Sequence, residues 1–232
     1  MTIGDVYLAR GDENIPIRFY ASEFLTEDRS RIVELFKADI YRTYCPDPPD
    51  EGPAFGYGGP WNKLVRREFL QANGIAFDVR LKGIFDDILY TAYLLANARS
   101  VRYVQHPVYH YRIVENSLTH AYRPNVVEIN KAIFMAWEEL FAQLDNPEQY
   151  REAFCACVLR RTEEAIHTYF ANDKNPASPK ARRKEFSTLM GGEPYHSAVR
   201  EVNLRKVSKK QAAIAVLSRV GLVPLALSLV SR

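Results

Sequence analysis

The sequence predicts an α/β fold at its N-terminal end and an α-helical region at its C-terminal end. Two short segments rich in β-branched and aromatic residues, 5–9 (DVYLA) and 15–20 (IPIRFY), indicate strands. After about residue 116, apolar residues recur mainly at helical spacing. Hydrophobic residues form 47% of the 232-residue chain and charged residues 25%, a balance that supports a sizeable core and excludes a disordered chain.

Helices and one long loop follow the first two strands. Residues 31–40 predict a helix with one apolar face. Residues 45–60 contain five Pro and four Gly, which predicts a loop. Residues 61–73 predict a second helix, ended by Gly74 as its C-cap, and residues 84–98 predict a third.

The last strands of the α/β part are predicted at residues 101–105 and 108–113, separated by Pro107. The predicted organisation has three parts: an α/β domain at residues 1–120, a helical hairpin at 121–173, and a basic segment with an apolar helix at 174–232.

Capping residues mark the helix starts in the C-terminal region. A helix is predicted at residues 123–144. A second one, residues 146–172, begins with NPEQ, in which Asn is the N-cap and Pro the first helical residue. Residues 178–179 (SP) start another helix, and residues 208–211 (SKKQ) form a capping box that opens a last, apolar helix.

Charge is distributed unevenly along the chain. Residues 174–210 contain ten Lys or Arg and three Glu, whereas residues 1–173 carry a net charge of −6. Basic side chains can bind nucleic acid, but no aromatic interleaving or known nucleic-acid module accompanies them. We therefore expect no nucleic-acid partner.

Cysteine usage and the N-terminus predict a cytoplasmic protein. The three cysteines, Cys45, Cys155 and Cys157, cannot all pair with one another, and reduced thiols are expected. The first residues have no signal-peptide pattern, and no run of about 18 apolar residues predicts a spanning helix.

The most specific pattern lies in residues 57–120. Its pieces, in chain order, are Pro60-Trp61-Asn62-Lys63, then Arg66, Arg67 and Leu70, then Phe77, then Asp86-Asp87, then Tyr109, Tyr111 and Arg112, then Ser117 and Thr119. Each piece alone is a weak signal, but their combination and order are specific.

In these pieces the chain resembles the second half of the catalytic domain of family 2 glycosyltransferases. The resemblance is close over about a quarter of the chain and loose over residues 1–56. It implies a partial GT-A-type, Rossmann-like mixed sheet. It also implies inverting transfer of a sugar from a nucleotide-sugar donor to a saccharide or lipid-linked acceptor in cell-surface polysaccharide synthesis.

The acidic pair carries the chemistry that the resemblance implies. The family usually has Glu-Asp, whose second carboxylate is the general base, so the resemblance assigns that role to Asp87. Adjacent helix positions point about 100° apart, so Asp86 is expected to orient the loop or bind backbone amides instead. Alternatively, both acids lie in the first turn of a helix because they favour its dipole.

Three residues before the acidic pair are candidates for the acceptor pocket. They are Trp61, Asn62 and Lys63, with the indole of Trp61 stacking on a sugar face. The alternative for Trp61 is a place in the core at a helix start.

Three residues after the acidic pair are candidates for substrate binding. Tyr111 and Arg112 end the second predicted strand of this region, and the guanidinium of Arg112 suits a donor phosphate. His120 is a candidate for a phosphate or metal contact, although a lone His is more often structural or solvated.

The donor-binding half of the family's domain has no counterpart in this sequence. In the family, an Asp-x-Asp motif holds a divalent metal, Mn or Mg, against the donor diphosphate, and this chain contains no such triplet. Residues 1–10 resemble the strand that follows that motif, so we expect the metal site in the complete enzyme only. Two alternatives remain open: a truncated, non-catalytic binding or membrane-associated module, and one half of a split glycosyltransferase whose partner is the missing N-terminal half.

The C-terminal helix favours contact with a membrane surface. Residues 214–230 are apolar nearly all round, interrupted by Arg219 and Pro224, and they follow the basic stretch. Such a segment suits an anionic surface, so residues 174–232 predict peripheral contact at the inner face of the membrane. Packing against the body of the protein or an oligomer partner is an equal alternative.

Overall fold

The computed structural model describes residues 1–11, 13–50, 59–81, 85–112 and 122–230. The chain divides into two compact units, Met1–Asn116 and Ser117–Arg232, here called the N-terminal and the C-terminal unit. The N-terminal unit is mixed α/β and the C-terminal unit is helical, so the predicted α/β class with a helical C-terminal region is confirmed.

A five-stranded mixed sheet forms the centre of the described N-terminal unit. Its strands are β1 (Thr2–Arg10), β2 (Glu13–Ile17), β3 (Phe24–Thr26), β4 (Lys63–Leu64) and β5 (Val101–Arg112). Strand β1 pairs in parallel with β5, and its other edge is shared by β4 at its beginning and β2 at its end. Strand β3 pairs antiparallel with the outer edge of β5.

A single strand, β5, replaces the two strands predicted on either side of Pro107. Gly4 of β1 pairs with Val104 of β5, but Val6 pairs with Tyr109, so β5 carries extra residues at this point. Proline lacks the N–H that a regular ladder needs, and a bulge is one of the few places where a strand tolerates it.

The helices of this unit are α1 (Arg29–Ile40), α2 (Arg67–Ala72) and α3 (Asp86–Asn97). Asp28 is the N-cap of helix α1, and its Oδ1 accepts the N–H of Ser30 at 2.9 Å. Helices α1 and α3 pack against each other through their apolar faces, and both start within two residues of their predicted positions.

The helix predicted at residues 61–73 is wrong over its first half. A 3-10 turn, Pro60–Asn62, leads into β4, and α2 starts only after it. Pairing of β4 with β1 fixes these residues in an extended form, which local helical spacing could not reveal. The predicted C-cap is confirmed, since Gly74 has a φ of 60° and the N–H of Ile75 donates to the carbonyl of Leu70 at 3.0 Å.

The described C-terminal unit consists of six α-helices and short helical turns. The helices are α4 (Val126–Phe141), α5 (Arg151–Ala165), α6 (Pro179–Gly191), α7 (Tyr195–Glu201), α8 (Lys209–Arg219) and α9 (Val223–Val230). A 3-10 turn, Pro147–Tyr150, precedes α5 and a π-helical turn, Ile166–Phe170, follows it. Asn146 is the N-cap and Pro147 the first helical residue, as predicted; the cap has no side-chain hydrogen bond, and Gln149 donates its Nε2 to the backbone oxygen of Asn146 at 2.8 Å.

Both later helix starts are confirmed, but the last helix is not continuous. Ser178 caps α6 through its hydroxyl, and Ser208 with Gln211 forms the predicted capping box of α8. Gly221, at a φ of 77°, ends the helical path and separates α8 from α9. Across the described ranges, none of the helices has the length and apolar character needed to cross a membrane.

Candidate functional site

Asp87 lies in the first turn of α3 and is half-buried. Its Oδ1 accepts the N–H of Ile88 at 2.8 Å, and the helix has no side-chain cap at Phe85. Burial raises the pKa of Asp87 above its usual value, and the neighbouring Asp86 adds to that effect. Hydrogen bonding and the positive charge of Lys63 oppose the rise.

Asn62 and Lys63 lie where the 3-10 turn meets β4. The buried amide of Asn62 donates its Nδ2 to the carbonyl of Gly4 at 2.8 Å, which fixes the turn against β1. The Nζ of Lys63 donates to the Oδ1 of Asn62 at 3.0 Å and also to the carbonyl of Gly59. These contacts hold the ammonium group inside the N-terminal unit.

The charge of Lys63 responds to two carboxylates on different helices. Burial lowers the pKa of Lys63 to about 8, while the negative charges of Asp39 and Asp87 act in the opposite direction. Asp39 lies on α1 and is only 5% exposed. The cluster of Asp39, Lys63 and Asp87, here called the charge cluster, therefore joins α1, β4 and α3.

Asp39 was not among the predicted site residues, although the helical pattern of α1 contains a signal for it. Asp39 follows Leu35 by four positions and Phe36 by three, so it shares the buried face of α1 with them. A carboxylate on such a face needs a polar or charged partner, because burying an isolated charge is unfavourable.

Trp61 stands beside the charge cluster in a group of aromatic rings. Its ring lies 4.9 Å from that of Tyr109 in a stacked arrangement and 5.6 Å from that of Tyr111. A Cβ on Gly59 would overlap the indole ring of Trp61, so the close approach of the indole requires glycine there. Trp61 is half-buried, which agrees both with the predicted stacking of its indole on a sugar and with the alternative of a place in the core.

A second aromatic pair lies next to Asp87 along α3. Phe77 and Tyr90 stack almost parallel, with ring centroids 4.2 Å apart. Tyr90 is three positions after Asp87, so the two side chains share one side of the helix. Phe77 is 48% exposed, so part of this aromatic pair is in contact with solvent. Tyr90 was not among the predicted site residues.

Of the three candidates after the acidic pair, one contacts Trp61, one lies exposed at the end of β5, and one lies outside the described residues. Tyr111 joins the aromatic group through Trp61. Arg112 is the exposed last residue of β5, and no hydrogen bond or ion pair in the described ranges ties it to the charge cluster. His120, with Ser117 and Thr119 of the same pattern, lies outside the described residues.

Another buried carboxylate, Asp5, has a structural role because it accepts hydrogen bonds from neighbouring segments of the N-terminal unit. The hydroxyl of Tyr103 on β5 donates to its Oδ1, and the N–H of Phe19 donates to the same atom at 3.2 Å. Burial raises the pKa of Asp5. Asp5 thus fastens β1 to β5 and to the segment after β2.

The residues that the structure describes do not form a binding site for a divalent metal. Within the described ranges, no group of three or more His, Cys, Asp or Glu side chains is arranged to bind one. The two carboxylates of the charge cluster act on the ammonium of Lys63, which competes with any cation there. We therefore assign no described residue to a metal.

Comparison with known proteins gives one informative similarity. The chain is 32% identical over 153 residues to a Bacillus subtilis (strain 168) protein named "Putative glycosyltransferase EpsH". The similar region covers 61% of this chain and 42% of that protein, so the chain spans less than half the length of this curated relative. No protein-family model and no solved structure matches the chain. The similarity supports a relationship to glycosyltransferases.

Proposed function

We propose that the chain forms the acceptor-side part of an inverting glycosyltransferase of family 2 type, with Asp87 as its general base. The observation that carries the proposal is the placement of Asp87, half-buried at the start of α3 and influenced by the charge of Lys63. The similarity to EpsH supports the class of reaction.

In the proposed reaction, the carboxylate of Asp87 accepts the proton of an acceptor hydroxyl. The acceptor oxygen bonds to the anomeric carbon while the bond from that carbon to the diphosphate breaks, and the nucleoside diphosphate leaves with the electron pair. A raised pKa makes the carboxylate a stronger base, and Lys63 favours its ionised form.

Around this base, we assign the neighbouring side chains to the acceptor. The ring faces of Trp61 and Tyr111 are suited to stack on a sugar, while Asn62 and Lys63 hold the turn beside Asp87. Arg112 and His120 remain proposals for phosphate contacts.

The complete reaction is proposed for a complete enzyme, because the chain spans less than half of the relative. That enzyme would take a nucleotide-sugar donor, use Mn or Mg bound outside the described residues, and act on a saccharide or lipid-linked acceptor in cell-surface polysaccharide synthesis. A partner chain carrying the donor-binding half is one way to complete it.

The test is replacement of each acid in turn, in the protein as its own cell produces it. Asp87→Asn should lower sugar transfer at least about 100-fold, because a positioned general base contributes that much or more. Binding of the nucleoside diphosphate should be unchanged. Transfer is measured with a set of nucleotide sugars and oligosaccharide acceptors.

Asp86→Asn is the matched control, since it lies in the same helical turn. If the two acids only favour the helix dipole, both variants should lose similar stability and keep similar activity. Full activity of Asp87→Asn would remove Asp87 as the base. A wild-type protein that binds neither donor nor acceptor would favour the non-catalytic alternative.

A further inference from the structure

Apolar side chains are exposed at the corner formed by α8 and α9. Five large apolar residues within fourteen positions are between 43% and 62% exposed: Val216, Val220, Leu222, Leu225 and Leu229. In the rest of the described C-terminal unit, Met135 is the one other large apolar residue that is exposed to a similar extent. An apolar patch of this density usually marks an interaction site.

Helical spacing places these side chains on outward-facing sides of both helices. Val216 lies on α8 and Val220, four positions later, is the C-cap residue of that helix, while Leu225 and Leu229 are four apart on α9. The opposite sides are buried, with Ile214 among the residues in the core. Each helix thus has one apolar side in the core and another in contact with solvent.

The segment of chain that forms this corner carries charge of a single sign, although Glu163 of α5 accepts a hydrogen bond from the Nε2 of Gln211 at 2.7 Å near its start. Residues 202–232 contain six Lys or Arg and no Asp or Glu. Arg219, the last residue of α8, lies between Val216 and Val220 in the sequence, and its guanidinium donates to the carbonyls of Val199, Arg200 and Val202. These neutral acceptors fix the positive charge in place without cancelling it.

A second source of positive charge lies beside α9. A cavity of about 260 Å³ is lined by Arg182, Arg183 and Ser228, among others. Ser228 directly precedes Leu229 and follows Leu225 by three positions, so the cavity lies close to the exposed leucines.

We propose that the α8–α9 corner docks onto the surface of an anionic lipid bilayer. The five apolar side chains enter the boundary between headgroups and acyl chains, and the basic residues of 202–230, with Arg182 and Arg183, face the headgroup phosphates. A second copy of the chain fits this corner poorly because it would bring two sets of like charges together. Nucleic acid would leave the five aliphatic side chains unused.

The test is co-sedimentation of the purified chain with vesicles. Wild type should bind vesicles of mixed phosphatidylglycerol and phosphatidylcholine and bind phosphatidylcholine alone much more weakly. The double variant Leu225→Ser, Leu229→Ser should lower the partition coefficient at least about tenfold, because it removes two apolar side chains from the bilayer boundary. Arg205→Gln with Lys206→Gln should lower it about fivefold per charge on anionic vesicles only.

Met135→Ser is the matched control, because Met135 is an exposed apolar residue on α4 of the same unit. It should bind vesicles like the wild type, and all variants should keep the wild-type thermal midpoint. Equal binding by all variants would overturn the proposal. So would a leucine variant that turns an oligomer into a monomer, measured by sedimentation velocity, while vesicle binding stays the same.

Discussion

The two units hold their buried cations in different ways. In the C-terminal unit, the guanidinium of Arg161 donates to a carboxylate oxygen of Glu164 at 2.7 Å and to the Oδ1 of Asn130 at 2.9 Å. In the N-terminal unit, Lys63 donates to a carbonyl and an amide oxygen, and burial lowers its pKa to about 8. An arginine keeps its proton in proteins, whereas a buried lysine readily changes protonation state.

Arg161 is therefore a structural cation, whereas Lys63 belongs to a titratable site. Arg161 joins α5 to α4 through Asn130, and Glu164 extends the connection to Arg123 at 2.9 Å. Lys63 stands between two carboxylates, one of which we propose as the base. The C-terminal unit should therefore lose stability when its cation is removed, and the N-terminal unit should change its response to pH.

The largest expected effect is from Arg161→Ala. The replacement removes the Arg161 donor from the buried amide of Asn130 and one of the two cations bonded to Glu164, and it should lower the free energy of unfolding by about 3 kcal/mol. Urea denaturation followed by helical circular dichroism measures it. Arg160→Ala, at the preceding position of α5, should change stability by less than about 0.5 kcal/mol. Equal losses in both variants would contradict a specific role for Arg161.

A smaller effect, dependent on pH, is expected for Lys63→Met. The pKa of Lys63 is about 8 in the folded chain against an ordinary 10.5, so the unfolded chain binds more protons between these values. Stability of the wild type relative to Lys63→Met should therefore rise as the pH increases from 8 to 10.5, by at most about 3 kcal/mol. Below pH 8 the unfavourable contribution of the buried cation is fully present.

Denaturation of both proteins across this pH range measures the difference, because the other titrating groups are common to both. The control Lys131→Met removes an exposed lysine of α4 and should run parallel to the wild type. A pH-independent difference between wild type and Lys63→Met would contradict the lowered pKa.

The smallest effect concerns how helices begin in the two units. Helix α8 has a complete capping box from Ser208 and Gln211, whereas α3 begins at Phe85 with no side-chain cap. Ser208→Ala should lower the free energy of unfolding by about 1 kcal/mol, and Ser208→Gly by a few tenths, as urea denaturation can measure. A larger loss for glycine than for alanine would mean that helix propensity outweighs the cap.

The elements that the sequence predicts well depend on local patterns. Apolar spacing along α1 and α3, the Gly74 C-cap and the Ser208 capping box all involve residues within a few positions of one another. The 61–73 prediction failed because β4 depends on pairing with β1, some sixty positions earlier in the chain. The 214–230 prediction failed at Gly221, whose positive φ ends the helical path.

Part of the candidate site could be predicted because its motif is contiguous. Trp61, Asn62 and Lys63 are adjacent in the sequence, and the structure places Lys63 within the electrostatic reach of Asp87. Asp39 could not be assigned to this site from sequence, since only the packing of α1 on α3 brings it there.

The bulge in β5 decides which face of the sheet receives the tyrosines. Tyr103 pairs with Ile3 and Tyr109 pairs with Val6, so the two tyrosines lie on opposite faces although they are an even number of positions apart. In a regular strand they would share a face, and Tyr109 would turn away from Trp61. Insertion or deletion of one residue between Tyr103 and Tyr109 would therefore exchange the faces, whereas a change of two would preserve them. The length of this short segment, more than its composition, sets the position of the aromatic group.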